Sequence, residues 1–167
     1  EVRFSARLTD VRIESGRLVG VTINGNEQLE TAAVVLALFI PMIISSGGNS
    51  GSQAATLIIR AISTDDIGLE EWKSVFKKEL MSGLLLGMLV GILGSVVIGT
   101  WMVIRGDSFS LLVLMQAATV GISLVGVVLF GNLSGSMLPF IMSKLGFDPA
   151  VTSAPFVATI VDVTGII

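Results

Sequence analysis

The sequence predicts an all-α, polytopic membrane protein of about four transmembrane helices, with a short β-meander at its N-terminus. Three observations carry this prediction. Of the 167 residues, 52% are hydrophobic and 14% charged, and the apolar residues come in long runs broken by glycine, which is membrane-protein composition. The charges lie in short connections between those runs, and residues 1–31 differ in character, with apolar and polar positions alternating. The chain has no cysteine and no histidine, which excludes disulfides, thiolate chemistry, zinc or copper centres and histidine general bases. Only hard oxygen ligands remain. A formal charge of -3 without a basic block gives no sign of a nucleic-acid partner.

Residues 1–31 read as a short β-rich segment. Val11, Ile13, Val19, Val21 and Ile23 alternate with polar residues, and Ser15-Gly16 and Asn24-Gly25 sit where hairpin turns belong. The run from Val11 to Ala37 is similar to a strand-rich stretch of some flavin-dependent dehydrogenases. No glycine-rich dinucleotide fingerprint accompanies it, so no flavin site is expected. Residues 32–167 form the membrane part, with spans expected at about 32–59, 80–104, 109–143 and 150–167.

In the first span, Pro41 and the small, polar run from Ser45 to Gln53 predict an interruption. Asn49, Gln53, Thr56 and Arg60, at i, i+4, i+7 and i+11, draw a polar stripe. Two readings stay open for it: hydroxyls bonded to the preceding turn in a packed helix, or the lining of a wet cavity. In the polar connection 60–79, the positions of Trp72, Val75, Phe76 and Glu79 predict a separate amphipathic helix at the interface. The second span carries Gly83, Gly87, Gly91 and Gly94 on one face, a repeated close-approach motif. Gly131 to Gly135 and Pro139 mark tight contacts or kinks in the third, and Asp148-Pro149 opens the fourth.

The charge distribution predicts a topology. Arg60, Lys73, Lys77 and Lys78 lie between the first two spans, against Arg105 alone between the next two, so the first connection should be cytoplasmic. Arg3, Arg7, Arg12 and Arg17 then fall on the outer side, against the rule. Either a further span precedes residue 31, or residues 1–31 are not the native partner of the membrane part.

Asp162 is the anomaly of the last span, a single carboxylate in an apolar run. At the centre of a membrane helix an aspartate costs about 2.5 to 3.5 kcal/mol, and it persists where it meets water, a cation or a bundle interior. Pro155, Ala158, Asp162 and Gly165 share one small-residue face, opposite Phe156, Ile160, Val163 and Ile167. A pore-lining helix has this pattern. The competing reading is an aspartate bonded to a serine or threonine of a neighbouring helix purely for packing.

The stretches ALFIPMIISSGGNSGSQ and PFVATIVDVTG, in this order and separation, resemble the signatures of the membrane domain of the MgtE family of magnesium channels, over residues 36–167. The resemblance implies an integral, multi-pass protein of a bacterial or archaeal plasma membrane, acting as a homodimer. Its pore would lie between the first span and the last helix of both copies. It implies magnesium as the bound and transported ion, with Asp162 as its ligand and the backbone carbonyl of Ala158 one turn before it. Gly47, Gly48, Asn49, Gly51, Ser52, Thr56, Pro155, Thr159 and Gly165 are the pore-lining positions it implies. Some members carry an asparagine where this chain has Ala154, so no side-chain ligand is expected there. Cytoplasmic regulatory parts, an N-terminal domain and a CBS pair, are expected in the family and are absent from this sequence.

The residue inventory is compatible with that ion, because magnesium keeps several waters and takes one or two carboxylates. Two alternatives are a cation-coupled carrier with its site at a helix break in Gly47–Gly51, and a non-transporting membrane module held by its glycine faces. An enzyme is not expected, since Asp162 has no catalytic partner to pair with.

Overall fold

The computed structural model describes residues 8–14, 17–23, 27–104, 111–149 and 154–166. The turns expected at Ser15-Gly16, Asn24-Gly25 and Arg105–Ser108 lie outside them. Residues 1–40 and 41–167 form two compact units. In the first, β1 (Leu8–Glu14), β2 (Arg17–Ile23) and β3 (Glu27–Glu30) make an antiparallel sheet in the order β1-β2-β3. Its register sets Val11 opposite Val21 and Val21 opposite Leu29.

Four helices follow: α1 (Thr31–Ser63), α2 (Trp72–Ile104), α3 (Leu111–Lys144) and α4 (Ala154–Ile166). By length and composition, α2 and α3 are apolar enough to cross a membrane, while the apolar helical run Pro155–Thr164 is shorter.

Two expectations are corrected here. First, α1 is a continuous helix through Pro41 and through Gly47–Gly51, so the helix break required by the carrier alternative is not found. The serine and threonine hydroxyls that threaten a helix are turned back onto it: Ser46 Oγ donates to Met42 O at 2.8 Å and Thr56 Oγ1 to Ser52 O at 2.8 Å. The helix ends where Asp65 takes a left-handed φ of 56° and Asp66 N donates to Ala61 O at 3.0 Å. Second, the amphipathic segment at Trp72 is not a separate helix but the first turns of α2, preceded by a 3-10 turn at Leu69–Glu71. No glycine or proline stands between Trp72 and Leu80 to stop it.

The glycine face of α2 lies on α3, as its spacing predicts. A Cβ at Gly91 would sit 2.6 Å from Gly121 O, and one at Gly87 3.0 Å from Val125 O, so these positions admit backbone contact and no side chain. Two polar clasps reinforce the pair. Ser95 Oγ reaches Gly91 O and Ala117 O, each at 2.9 Å. Asn132 Nδ2 donates to Glu79 O at 2.9 Å and to Glu79 Oε2 at 2.8 Å.

Glu79 stands two turns, roughly 10 Å, along α2 from Trp72, so a charge read as part of the polar connection is held inside the bundle by an amide. Asn132→Ala should cost about 1–3 kcal/mol by leaving that carboxylate short of its donor, whereas Glu79→Gln keeps an acceptor for it. A thermal midpoint in detergent that drops as far for Glu79→Gln as for Asn132→Ala would contradict this account.

Among the described residues, two clusters belong to the core of the second unit. Ala55, Val157 and Val161 pack with Ile59, Val127 and Leu138, which joins α1, α3 and α4. Ile58, Val75 and Phe140 pack with Ile62, Ile67, Leu69 and Met137, closing the end near the first connection. Leu85, Leu89 and Ile92 of α2, and Leu111 and Ile122 of α3, stay exposed, as residues facing lipid do.

Candidate ion site between α1 and α4

The rotational setting of α4 comes from Val157 and Val161, both fully buried. Val161 Cγ1 stands 3.0 Å from where a Cβ on Gly47 would be, and Val157 Cγ1 3.0 Å from the same point on Gly51. Each valine thus fills the space left by a glycine of α1. With this valine pair turned inward, the next residues, Ala158 and Asp162, come round by about 100° to a different part of α1. There a Cβ on Gly48 would lie 3.3 Å from Asp162 Oδ1 and 3.8 Å from the Cα and Cβ of Ala158. Gly48 is buried, Ala158 half-buried and Asp162 exposed.

Gly48, Ala158 and Asp162 are therefore brought together, and the other expected positions divide. Gly47 and Gly51 are buried against α3 and the α4 valines, Gly51 with Gly131 O at 2.7 Å from its would-be Cβ. In this chain both are helix-contact positions, their Cα faces being filled by the protein itself. Asn49, Gln53, Thr56 and Arg60 are all exposed, so the polar stripe is a continuous uncovered face of α1. Ser52 is half-buried, and its carbonyl takes the Thr56 hydroxyl. Pro155 and Thr159 are exposed on α4, with Thr159 Oγ1 donating to Pro155 O at 2.9 Å. The surroundings of Ala154 and Gly165 lie outside the described side chains.

The hydroxyls of α4 do not satisfy the acid, since Thr159 and Thr164 both donate to carbonyls of their own helix, the latter to Ile160 O at 2.7 Å. Among the described residues no three acidic, cysteine or histidine side chains gather into a metal cage. What the chain presents is sparse: one carboxylate beside a glycine backbone, at the edge of an uncovered polar face. Such a site leaves most of a cation's coordination to water, which suits magnesium more than it suits a calcium cage of six to eight oxygens.

The inward valines were hidden in the sequence, where the large residues Phe156, Ile160 and Val163 drew attention. Phe156 and Val163 are exposed, and Val157 and Val161, at i and i+4, are the stripe that packs. Their spacing was a usable signal only with α1's glycines placed opposite.

The model of the family described as MgtE, divalent cation transporter, matches residues 40–167. A magnesium transporter MgtE of Thermus thermophilus is 42% identical over 157 residues, which is 94% of this chain and 33% of that protein. The magnesium transporter MgtE of Enterococcus faecalis is 31% identical over 145 residues, 87% of this chain and 30% of its own length. That of Bacillus subtilis is 27% identical over 152 residues, 91% of this chain and 32% of its length. The chain spans about a third of the length of these relatives. A family match over most of the chain, ending on the helix that carries Asp162, shows that the chain belongs to the MgtE family of divalent cation transporters.

Proposed function

We propose that this chain is the membrane part of a channel that passes hydrated magnesium down its electrochemical gradient, through a pore between two copies. The observation that carries the reading is the uncovered polar stripe of α1, Asn49, Gln53, Thr56 and Arg60, alongside the exposed Asp162 on α4. Polar groups at membrane depth persist where they face water or protein. Two copies related by a two-fold axis would turn these faces toward each other. Two Asp162 carboxylates then balance one divalent cation, and the Ala158 carbonyls orient its retained waters. Selectivity over calcium, manganese and cobalt comes from the width set by Gly48, since oxygen ligands alone discriminate weakly. The end of α2 that carries Lys73, Lys77 and Lys78 is cytoplasmic, the side on which the family's regulatory domains would then lie.

The test is magnesium flux into liposomes holding the full-length protein. Flux that needs no co-ion supports a channel. Strict dependence on a second ion would make it a carrier, and absence of flux a packing module.

The same assay separates glycine from asparagine. Gly48→Val would push a branched side chain into the Asp162 carboxylate and Ala158, and should lower flux about tenfold or more, a displacement of roughly 1 Å being enough for losses of that size at a positioned site. Asn49→Ser, which leaves a small polar group on the exposed stripe, should lower it less. Normal flux in Gly48→Val would remove this contact from the constriction.

A further inference from the structure

Far along the chain from Asp162, the first turns of α2 and the last turns of α3 enclose an apolar groove of about 340 Å³, lined by Trp72, Phe76, Met137, Phe140, Ile141 and Lys144. Two ammonium groups approach the same indole: Lys144 Nζ, of the groove lining, lies 5.5 Å and Lys73 Nζ, the next residue along α2, 5.6 Å from the centroid of the Trp72 ring. Glu70 and Glu71 precede Trp72 in the 3-10 turn, but neither lines the groove. Trp72 and Lys144 are also the boundary residues of α2 and α3, which among the described residues are the helices long and apolar enough to span. This is the headgroup level, where tryptophan and lysine anchor a membrane protein.

We propose that this groove binds one anionic phospholipid, with its phosphate between Lys73 and Lys144 and part of an acyl chain against Phe76, Met137 and Ile141. An aromatic face attracts an ammonium without cancelling its charge, so both positive charges remain available to an anion. Position adds to this, because basic residues at headgroup depth draw acidic lipid. A covering helix with an apolar face fits less well, since it would strip water from two ammonium groups and return no carboxylate. The site is separate from the ion site and does not depend on the proposed pore.

The probe is brominated phosphatidylglycerol, whose mid-chain bromines quench tryptophan on contact. In full-length protein in which Trp72 is the sole tryptophan, Trp101 and any others being replaced by phenylalanine, vesicles of mixed brominated and unbrominated lipid report which lipid touches the ring. Brominated phosphatidylglycerol diluted in phosphatidylcholine should quench at a mole fraction about tenfold lower than brominated phosphatidylcholine diluted in phosphatidylglycerol. The Lys73→Gln/Lys144→Gln variant should bring that ratio to about one, and Lys77→Gln, on α2 but not over the Trp72 ring as Lys73 and Lys144 are, should leave it unchanged. Equal quenching by the two lipids, or a preference that survives the double substitution, overturns the proposal. So does the absence of quenching by either, which would mean that a protein segment or a second copy covers the ring.

Discussion

Asp162→Asn is expected to abolish most magnesium conduction while leaving the fold intact. The side chain is exposed and its hydroxyl neighbours are already satisfied within α4, so no buried partner is stranded by the change. Asparagine keeps the volume and removes the charge. In a two-fold pore it removes two charges at once, and two charge-assisted contacts at about 1.5 kcal/mol each amount to roughly 100-fold in affinity. The measurement is magnesium binding by calorimetry on wild type and variant at fixed ionic strength, because screening alone shifts such values. Equal affinities would return Asp162 to a packing role. A variant that lost binding together with its thermal midpoint would show instead that the carboxylate holds α4 in place.

The second large effect concerns α1 and α3. A Cβ at Gly131 would fall on the backbone carbonyl of Gly47, and one at Gly135 on that of Gly51. Neither obstacle is a side chain that can rotate away. Gly131→Val should therefore force the two helices apart and cost upwards of about 3 kcal/mol, the upper end of ordinary overpacking. The expected result is loss of the monodisperse, heat-stable protein in detergent. Gly126→Val is the matched control, since nothing lies within 4 Å of its would-be Cβ. Comparable behaviour of the two variants would mean that helix propensity and not close approach is being measured, valine being no great improvement on glycine inside a helix.

Much of the architecture was legible in the one-dimensional pattern. Hydrophobic run length gave α2 and α3, and the four-residue glycine spacing gave their contact, because a lipid-facing helix has no use for such a row. Continuity was harder to read. Pro41 and the small polar run of α1 argue for a break by propensity, but a helix inside a bundle can close its hydroxyls onto its own carbonyls, as Ser46 and Thr56 do. Trp72 to Glu79 looked like a separate surface helix because amphipathicity says which face is apolar and not whether the helix stops. At the site, Asp162 stood out by its cost, and its neighbour Gly48 was among the positions named. Gly47 and Gly51 could not be told from Gly48 by sequence, since consecutive helical residues differ by about 100° in direction. Only a partner decides which direction is inward.

The inward valines of α4 carry one more consequence. Val157 and Val161 act as the teeth of a gear meshed with the gaps at Gly51 and Gly47, and Asp162 is fixed to the same shaft. The azimuth of the carboxylate is thus written in hydrocarbon shape, one residue away from the charge. Moving that carboxylate need not touch an oxygen atom: trimming or thickening a tooth would turn the shaft by a few degrees and carry Asp162 with it.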